Sequence, residues 1–205
     1  MSRTLVIETA TAACSVALLE DGALIAARHE VVGRGHAERL VPMIAELPEG
    51  GRAAAILVDV GPGSFTGIRV GIAAARGLAL GWGVPVCGYS SMSVVAAGAF
   101  ARGMASPLAV VLEGGHGEVF MQGYVASPIV PFDTLVSLRP EAAIAALGGR
   151  SAIGSGARRL LAIDGALDVC DALPDAANAR LLPPDLTDLP PRPLYGRAPD
   201  AKLPA

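Results

Sequence analysis

The sequence predicts an α/β fold with two lobes, and three observations support this class. Asp21-Gly22 separates two apolar segments, which is a strong signal for a two-residue β-hairpin. Short apolar strands at 55–60 and 84–89 are each followed by a segment of helical character. A junction at 103–107 precedes a second group of strands. Strands that alternate with helices along one chain are typical of the α/β class.

The first lobe is predicted to span residues 1–103. A buried strand at 4–8 opens it, and the hairpin strands follow at 14–20 and 23–30. A helix comes next, because four apolar residues recur at the spacing i, i+3, i+4, i+7. These residues are Leu40, Met43, Ile44 and Leu47. Two further helices are predicted at about 66–80 and 91–101, the second capped by Ser90 or Ser91.

The second lobe is predicted to be smaller and to span residues 104–205. Its expected elements are strands at 108–113 and 118–125 and helices at 140–147 and 157–163. From Leu182 onward the chain is rich in proline, which predicts an extended segment on the surface.

The composition indicates a folded cytoplasmic protein that stays off the membrane. Hydrophobic residues make up 52% of the 205 residues and charged residues 17%, enough for a real core. The apolar runs are shorter than the about 20 residues of a membrane-spanning helix, and no signal peptide is expected. Three cysteines without C-x-x-C spacing argue against a metal or redox role. The net charge of −3 argues against this chain alone gripping a nucleic acid backbone.

The segment Gly61–Gly71 is the most informative part of the chain. It reads GPGSFTGIRVG and connects a strand to the small-residue helix after it, a geometry that can bind an anion. The segment lacks the Gly-Lys-Ser/Thr of a Walker A loop. It also departs from G-x-G-x-x-G, because Gly67 comes one residue too late after Gly63. The common nucleotide motifs therefore fail.

This segment resembles the glycine block of the TsaB family, and three other segments agree with the resemblance. Residues 7–18 look like that family's opening hairpin, and residues 36–44 look like its first helix. Residues 193–201 are similar to its C-terminal tail. The match is dense over 4–100 and patchy beyond. TsaB proteins are accessory subunits of the bacterial machinery that makes threonylcarbamoyladenosine in tRNA.

The resemblance implies an actin-like ATPase (ASKHA, ribonuclease H-like) fold with two lobes, of which the second is reduced here. It implies a non-catalytic scaffold that binds and activates a TsaD homologue together with the ATPase TsaE. Contact with tRNA is then expected only through this complex. No cofactor is expected, apart from weak ATP or ADP binding within the complex. The apolar helices also suggest a homodimer when the chain is alone.

Small residues recur every four positions along the helix after the glycine segment, at Gly67, Gly71, Ala75 and Ala79. On residues alone, packing inside the lobe is the favoured interpretation of this ridge. The resemblance implies instead that the first and second helices dock onto TsaD. The partner-binding residues expected from it are Leu40, Met43, Ile44, Leu47, Ile72, Ala75, Arg76 and Ala79.

A nucleotide loop is the alternative use of the glycine segment. Its candidate residues are Glu8, Gly61, Gly63, Ser64, Thr66 and Gly67. Glu8 and Asp59 stand at strand ends, where a carboxylate held by hydrogen bonds is the favoured interpretation. Ser64 and Thr66 are interpreted as caps of the following helix. An isolated His36 cannot supply a metal site, so no metal is expected.

Two rival functions remain open from the sequence. The first is a nucleotide-dependent phosphotransferase of the same fold, which would need a complete cleft. The second is a peptidase that acts on TsaD, for which a metal pair and a G-x-S-x-G elbow are missing. The family also commonly carries Asp-Ala-Arg-x-Gly-Glu-Val-Tyr in the second lobe. This chain has Glu113–Phe120 there, without the arginine.

Overall fold

A computed structural model describes residues 1–194 of the chain. The tail after Leu194, which includes most of the segment 193–201, lies outside the described residues. Two β-sheets carry the described part, and helices cover their faces. Within residues 1–194, no helix combines the length and hydrophobicity that a membrane span requires.

The first sheet has five strands in the order β3-β2-β1-β4-β5. The strands are β1 (Arg3–Glu8), β2 (Ala13–Glu20), β3 (Ala23–Val31), β4 (Ala55–Asp59) and β5 (Val86–Tyr89). β1, β2 and β3 run antiparallel, and β4 and β5 extend β1 in parallel. Asp21 and Gly22 both have positive φ and form the predicted hairpin turn.

Three helices accompany this sheet, namely α1 (His36–Ala45), α2 (Phe65–Trp82) and α3 (Ser91–Ala101). α1 and α2 pack with alternate residues of β1, such as Leu5 and Ile7, in one core. The intervening Val6 faces the other side of the sheet, where Val94 of α3 packs. Ser90 accepts a hydrogen bond from the Met92 amide, which confirms the predicted cap of α3.

The second sheet has six strands. They are β6 (Leu108–Glu113), β7 (Val119–Val125), β8 (Val130–Pro131), β9 (Val136–Leu138), β10 (Ala152–Ile153) and β11 (Val169–Cys170). The order is β11-β10-β6-β7-β8, and β9 also pairs with β7. The helices α4 (Pro140–Leu147) and α5 (Ala157–Leu161) pack on one face, and α5 ends two residues before the predicted position.

α3 connects the two sheets. Every residue from Ser91 to Ala99 is buried, because Met92 and Val95 pack against the second sheet while Val94 packs against the first. The chain also returns to the first sheet at 176–181, where the Ala176 amide donates to Ser15 Oγ (3.1 Å). The division into lobes 1–103 and 104–205 stays a prediction.

Candidate functional site

The glycine segment is packed directly onto the turn between β1 and β2. The Ser64 amide donates to the Ala10 carbonyl oxygen at 2.6 Å. A Cβ on Gly63 would lie 2.0 Å from that oxygen, and a Cβ on Gly67 would lie 2.1 Å from the Thr9 carbonyl oxygen. Gly61 has φ of +93°, a conformation that favours glycine. These glycines therefore let two loops of the same chain touch.

One of the first amides of α2 is hydrogen-bonded within the chain. Ser64 is the N-cap residue, and its Oγ accepts from the Gly67 amide at 3.2 Å, which confirms the predicted cap. Thr66 lies exposed in the first turn and is not the cap. A phosphate would have to compete with these internal bonds, so phosphate binding by this loop stays a prediction.

Two acidic residues end neighbouring parallel strands, Glu8 on β1 and Asp59 on β4, and both are fully buried. Glu8 Oε1 accepts from the Ala10 amide and from Ser91 Oγ, each at 3.0 Å. Asp59 Oδ1 accepts from the Thr9 amide at 2.8 Å. The predicted hydrogen-bonded carboxylates at the strand ends are therefore confirmed.

Burial dominates the electrostatics of this acidic pair. It raises the pKa of Asp59 to about 7, although the bonds from Thr9 lower it. Burial, with the charge of Asp59 next in importance, raises the pKa of Glu8 well above its usual range. Within the described residues, Glu8 Oε2 and Asp59 Oδ2 have no hydrogen-bond partner. Burial therefore makes both carboxyl groups harder to ionise than exposed ones.

The pair does not fit the magnesium–phosphate group that an actin-like ATPase fold implies. Mg²⁺ takes oxygen ligands in an open octahedral arrangement that keeps several waters. Glu8 and Asp59 are enclosed instead, and the glycine segment is closed onto the β1–β2 turn. In residues 1–194, no group of three His, Cys, Asp or Glu side chains is placed to hold a metal ion.

Seven of the eight expected partner-binding residues are buried in the chain's own core. They are Leu40, Met43, Ile44, Leu47, Ile72, Ala75 and Ala79, each 7% exposed or less. Direct contact of a partner with these seven side chains is not compatible with this burial, so their assignment is corrected. They hold α1 and α2 on the first sheet. Arg76 alone is exposed, and its Nη2 donates to the Pro191 carbonyl oxygen at 2.6 Å.

A different set of residues forms the outer surface of α1 and α2. Val41 on α1 is 58% exposed, and Phe65 and Leu80 on α2 are 67% and 88% exposed. A second row of small residues, Ala73, Gly77 and Gly81, is also exposed, and Cβ atoms on the two glycines would meet nothing within 4 Å. The exposed apolar face of α1 and α2 is defined here as these six residues.

Comparison with known proteins gives the chain a family. A model of the family "TsaD: tRNA N6-adenosine threonylcarbamoyltransferase" matches residues 28–127. The Escherichia coli tRNA threonylcarbamoyladenosine biosynthesis protein TsaB is 40% identical over 129 residues, which are 60% of this chain and 54% of that protein. The solved structure of YeaZ from Pseudomonas aeruginosa has a TM-score of 0.75 and 31% identity, covering 88% of this chain and 90% of that one.

The chain belongs to the TsaB (YeaZ) family. The alignments span only about half the length of the curated TsaB relatives that it matches, 54% and 55%. A structure of the ethanolamine utilization protein EutJ from Carboxydothermus hydrogenoformans, at 12% identity and a TM-score of 0.51, matches in fold alone and covers 89% of this chain and 90% of that one. The predicted actin-like α/β fold is confirmed.

One segment of this TsaB-family chain departs from the pattern expected of the family. Glu113 is the last residue of β6, and its carboxylate accepts from Arg159 Nη2 at 2.7 Å. The Glu113 amide donates to Ser155 Oγ at 3.0 Å. Hydrogen bonds therefore connect this segment to α5 and the residues just before it. The guanidinium beside Glu113 belongs to Arg159, 46 residues later, and not to an arginine within the segment 113–120.

Proposed function

We propose that this chain is a non-catalytic scaffold subunit for threonylcarbamoyladenosine modification of tRNA. It binds the TsaD homologue of its organism through the exposed apolar face of α1 and α2. The TsaD homologue performs the transfer to adenosine, and a TsaE homologue joins the pair. The isolated chain takes no cofactor in this proposal, and weak ATP or ADP binding arises only in the complex, in the cytoplasm.

The names of its relatives support this role. The Escherichia coli relative is called a tRNA threonylcarbamoyladenosine biosynthesis protein, and the matching family model describes a tRNA N6-adenosine threonylcarbamoyltransferase. The match to the transferase family over residues 28–127 makes this chain a relative of that enzyme, which supports pairing between the two.

The exposed apolar face of α1 and α2 is the observation that carries the proposal. Leu80 is 88% exposed although it stands on a helix whose inner face is already fully packed. The neighbouring glycines, Gly77 and Gly81, leave open space that lets another helix approach closely. Val41 adds an apolar residue from the helix packed beside α2. Such a surface is typical of a protein–protein interface.

The environment of the buried acids supports a role without catalysis. Phosphotransfer needs ligands that reach a bound phosphate and its metal ion, and here those oxygens are enclosed by the chain itself. The closed glycine segment removes the room beside them. The net charge of −3 further favours contact with tRNA through the assembled complex.

The test is the mass of the complex with the TsaD homologue, measured by light scattering after gel filtration. Leu80→Glu is the variant to compare, because Leu80 is 88% exposed and lies outside the buried core. We expect a one-to-one complex for the wild-type chain and none for Leu80→Glu at micromolar concentration, since an unpaired charge buried in an apolar interface costs several kcal/mol. Ile72→Asp is unsuitable, since Ile72 is 5% exposed in the core.

Ile163→Glu is the matched control, since Ile163 is a large apolar residue, 50% exposed and remote from α1 and α2 in the fold. It should form the complex like the wild-type chain. Normal pairing by Leu80→Glu would show that the docking surface lies elsewhere.

A further inference from the structure

A short segment near the end of the described chain adds to the free edge of the first sheet. This segment, Asp188–Leu194, is called the strap below. The Gly88 amide on β5 donates to the Leu189 carbonyl oxygen at 2.6 Å, and the Leu189 amide donates back at 3.0 Å. The Leu194 amide donates to the carbonyl oxygen of Val60 at 2.7 Å, directly before the glycine segment. The strap therefore covers an edge that would otherwise be open.

The strap also touches α2. Arg76 Nη2 donates to the Pro191 carbonyl oxygen at 2.6 Å, so a charged donor on the helix holds the middle of the strap. Arg76 lies on the same exposed side of α2 as Ala73 and Leu80, because it is three residues from the first and four from the second. The strap consequently runs along one border of the exposed apolar face.

We propose that the strap is the rim of the docking surface and that Arg76 is the positioning residue that latches it there. The guanidinium then acts on the partner through the strap and does not contact the partner itself. This inference takes only the identity of the partner from the proposed function. The latch is a property of the isolated chain and can be tested without any partner.

The composition of the strap suits this role. Proline occupies three of its seven positions, at 190, 191 and 193. Because proline restricts the free backbone, the strap loses little conformational entropy when a partner docks. A few backbone hydrogen bonds at the surface attach the strap to the sheet. Each of these bonds therefore contributes a sizeable share of the free energy that keeps the strap in place. Loss of the bond from Arg76 should therefore loosen the strap measurably.

The first experiment measures amide hydrogen exchange in the isolated full chain. The reporters are the amides of Gly88, Leu189 and Leu194. Arg76→Ala should speed their exchange by about fivefold or more, the factor that corresponds to one hydrogen bond of ordinary net strength. Arg52→Ala is the control, because it removes the same charge from a guanidinium that lies over the Trp82 ring of α2. Unchanged exchange in Arg76→Ala overturns the latch.

The second experiment asks how Arg76 reaches the partner, by a double-mutant cycle on the dissociation constant with the TsaD homologue. Leu194→Pro deletes the amide that donates to Val60, while Leu194→Ala keeps it. Leu194 is 40% exposed, so folding is not at stake. Arg76→Ala and Leu194→Pro should each raise the dissociation constant. The double variant should have a dissociation constant no higher than that of the single variant that binds less tightly. Leu194→Ala should bind like the wild-type chain.

Two outcomes would mean that Arg76 contacts the partner directly. Either the two single effects on the dissociation constant multiply in the double variant, or Arg76→Ala weakens binding while Leu194→Pro does not. Both would overturn the proposal that the strap is the rim of the docking surface. If the wild-type chain binds no TsaD homologue, the proposed function fails, and the exchange experiment still decides the latch. Arg76→Lys keeps the charge and a donor, so partial rescue of slow exchange is expected from it.

Discussion

Glu8 and Asp59 are acidic residues in an unusual environment, because acidic side chains normally lie at the protein surface. Both carboxyl groups are fully buried, each uses one oxygen in hydrogen bonds, and each has a second oxygen without a partner among the described residues. The sequence predicted hydrogen-bonded carboxylates at two strand ends. It could not predict the raised pKa of either group, because the enclosure comes from α2 and α3 packing over them, which only the tertiary structure sets.

The raised pKa of Asp59 makes stability depend on pH. Its pKa is about 7 in the folded chain against an ordinary value of 3.8, so the folded state keeps a proton that the unfolded state releases. The free energy of unfolding from this group therefore falls as pH rises from about 4 to about 7. We expect Asp59→Asn to reduce that fall, as measured by urea unfolding across this range.

Glu8→Gln removes the other acid of the pair. It should also reduce the fall in the free energy of unfolding with rising pH, because burial and Asp59 raise the pKa of Glu8 as well. The exposed Asp185→Asn is the control that removes an acid from the surface. A pH dependence in both buried-acid variants equal to that of the wild-type chain would contradict this account.

At the scale of elements, α2 shows what a sequence pattern can and cannot tell. The helix bounds were predicted to within two residues, and the capping Ser64 was found from its position before the helix. The apolar residues of α1 and α2 were predicted as the partner surface, yet they pack the chain's own sheet. A periodic apolar stripe shows that one helix face is buried, and it does not tell against what.

Two glycines of α2 should respond in opposite ways to alanine. Gly77 faces open space, so Gly77→Ala should raise the free energy of unfolding by about 1 kcal/mol through helix propensity. In Gly67→Ala the new Cβ would lie 2.1 Å from the Thr9 carbonyl oxygen, which should lower that free energy by about 1–3 kcal/mol. Urea unfolding at one pH checks both, and equal effects of the two variants would contradict the packing described here.

At the scale of the whole molecule, α3 and the return of residues 176–181 make the two sheets depend on each other. The sequence predicted the strands and helices of the first sheet, but in the second sheet it predicted only β6 and β7 and missed the short strands β8–β11. The return could not be predicted, because it is anchored by contacts such as Ser15 with Ala176, which are far apart along the chain. The exposed face of α2 therefore sits on a scaffold that the entire described chain builds.

The most direct test of the scaffold role is the threonylcarbamoyladenosine content of tRNA in a reaction of purified TsaD and TsaE homologues with an activated threonylcarbamoyl donor. The account predicts that modification requires this chain, is lost with Leu80→Glu and persists with Ile163→Glu, because only Leu80 lies on the docking face. Full modification without this chain, or transfer by this chain alone, would contradict it.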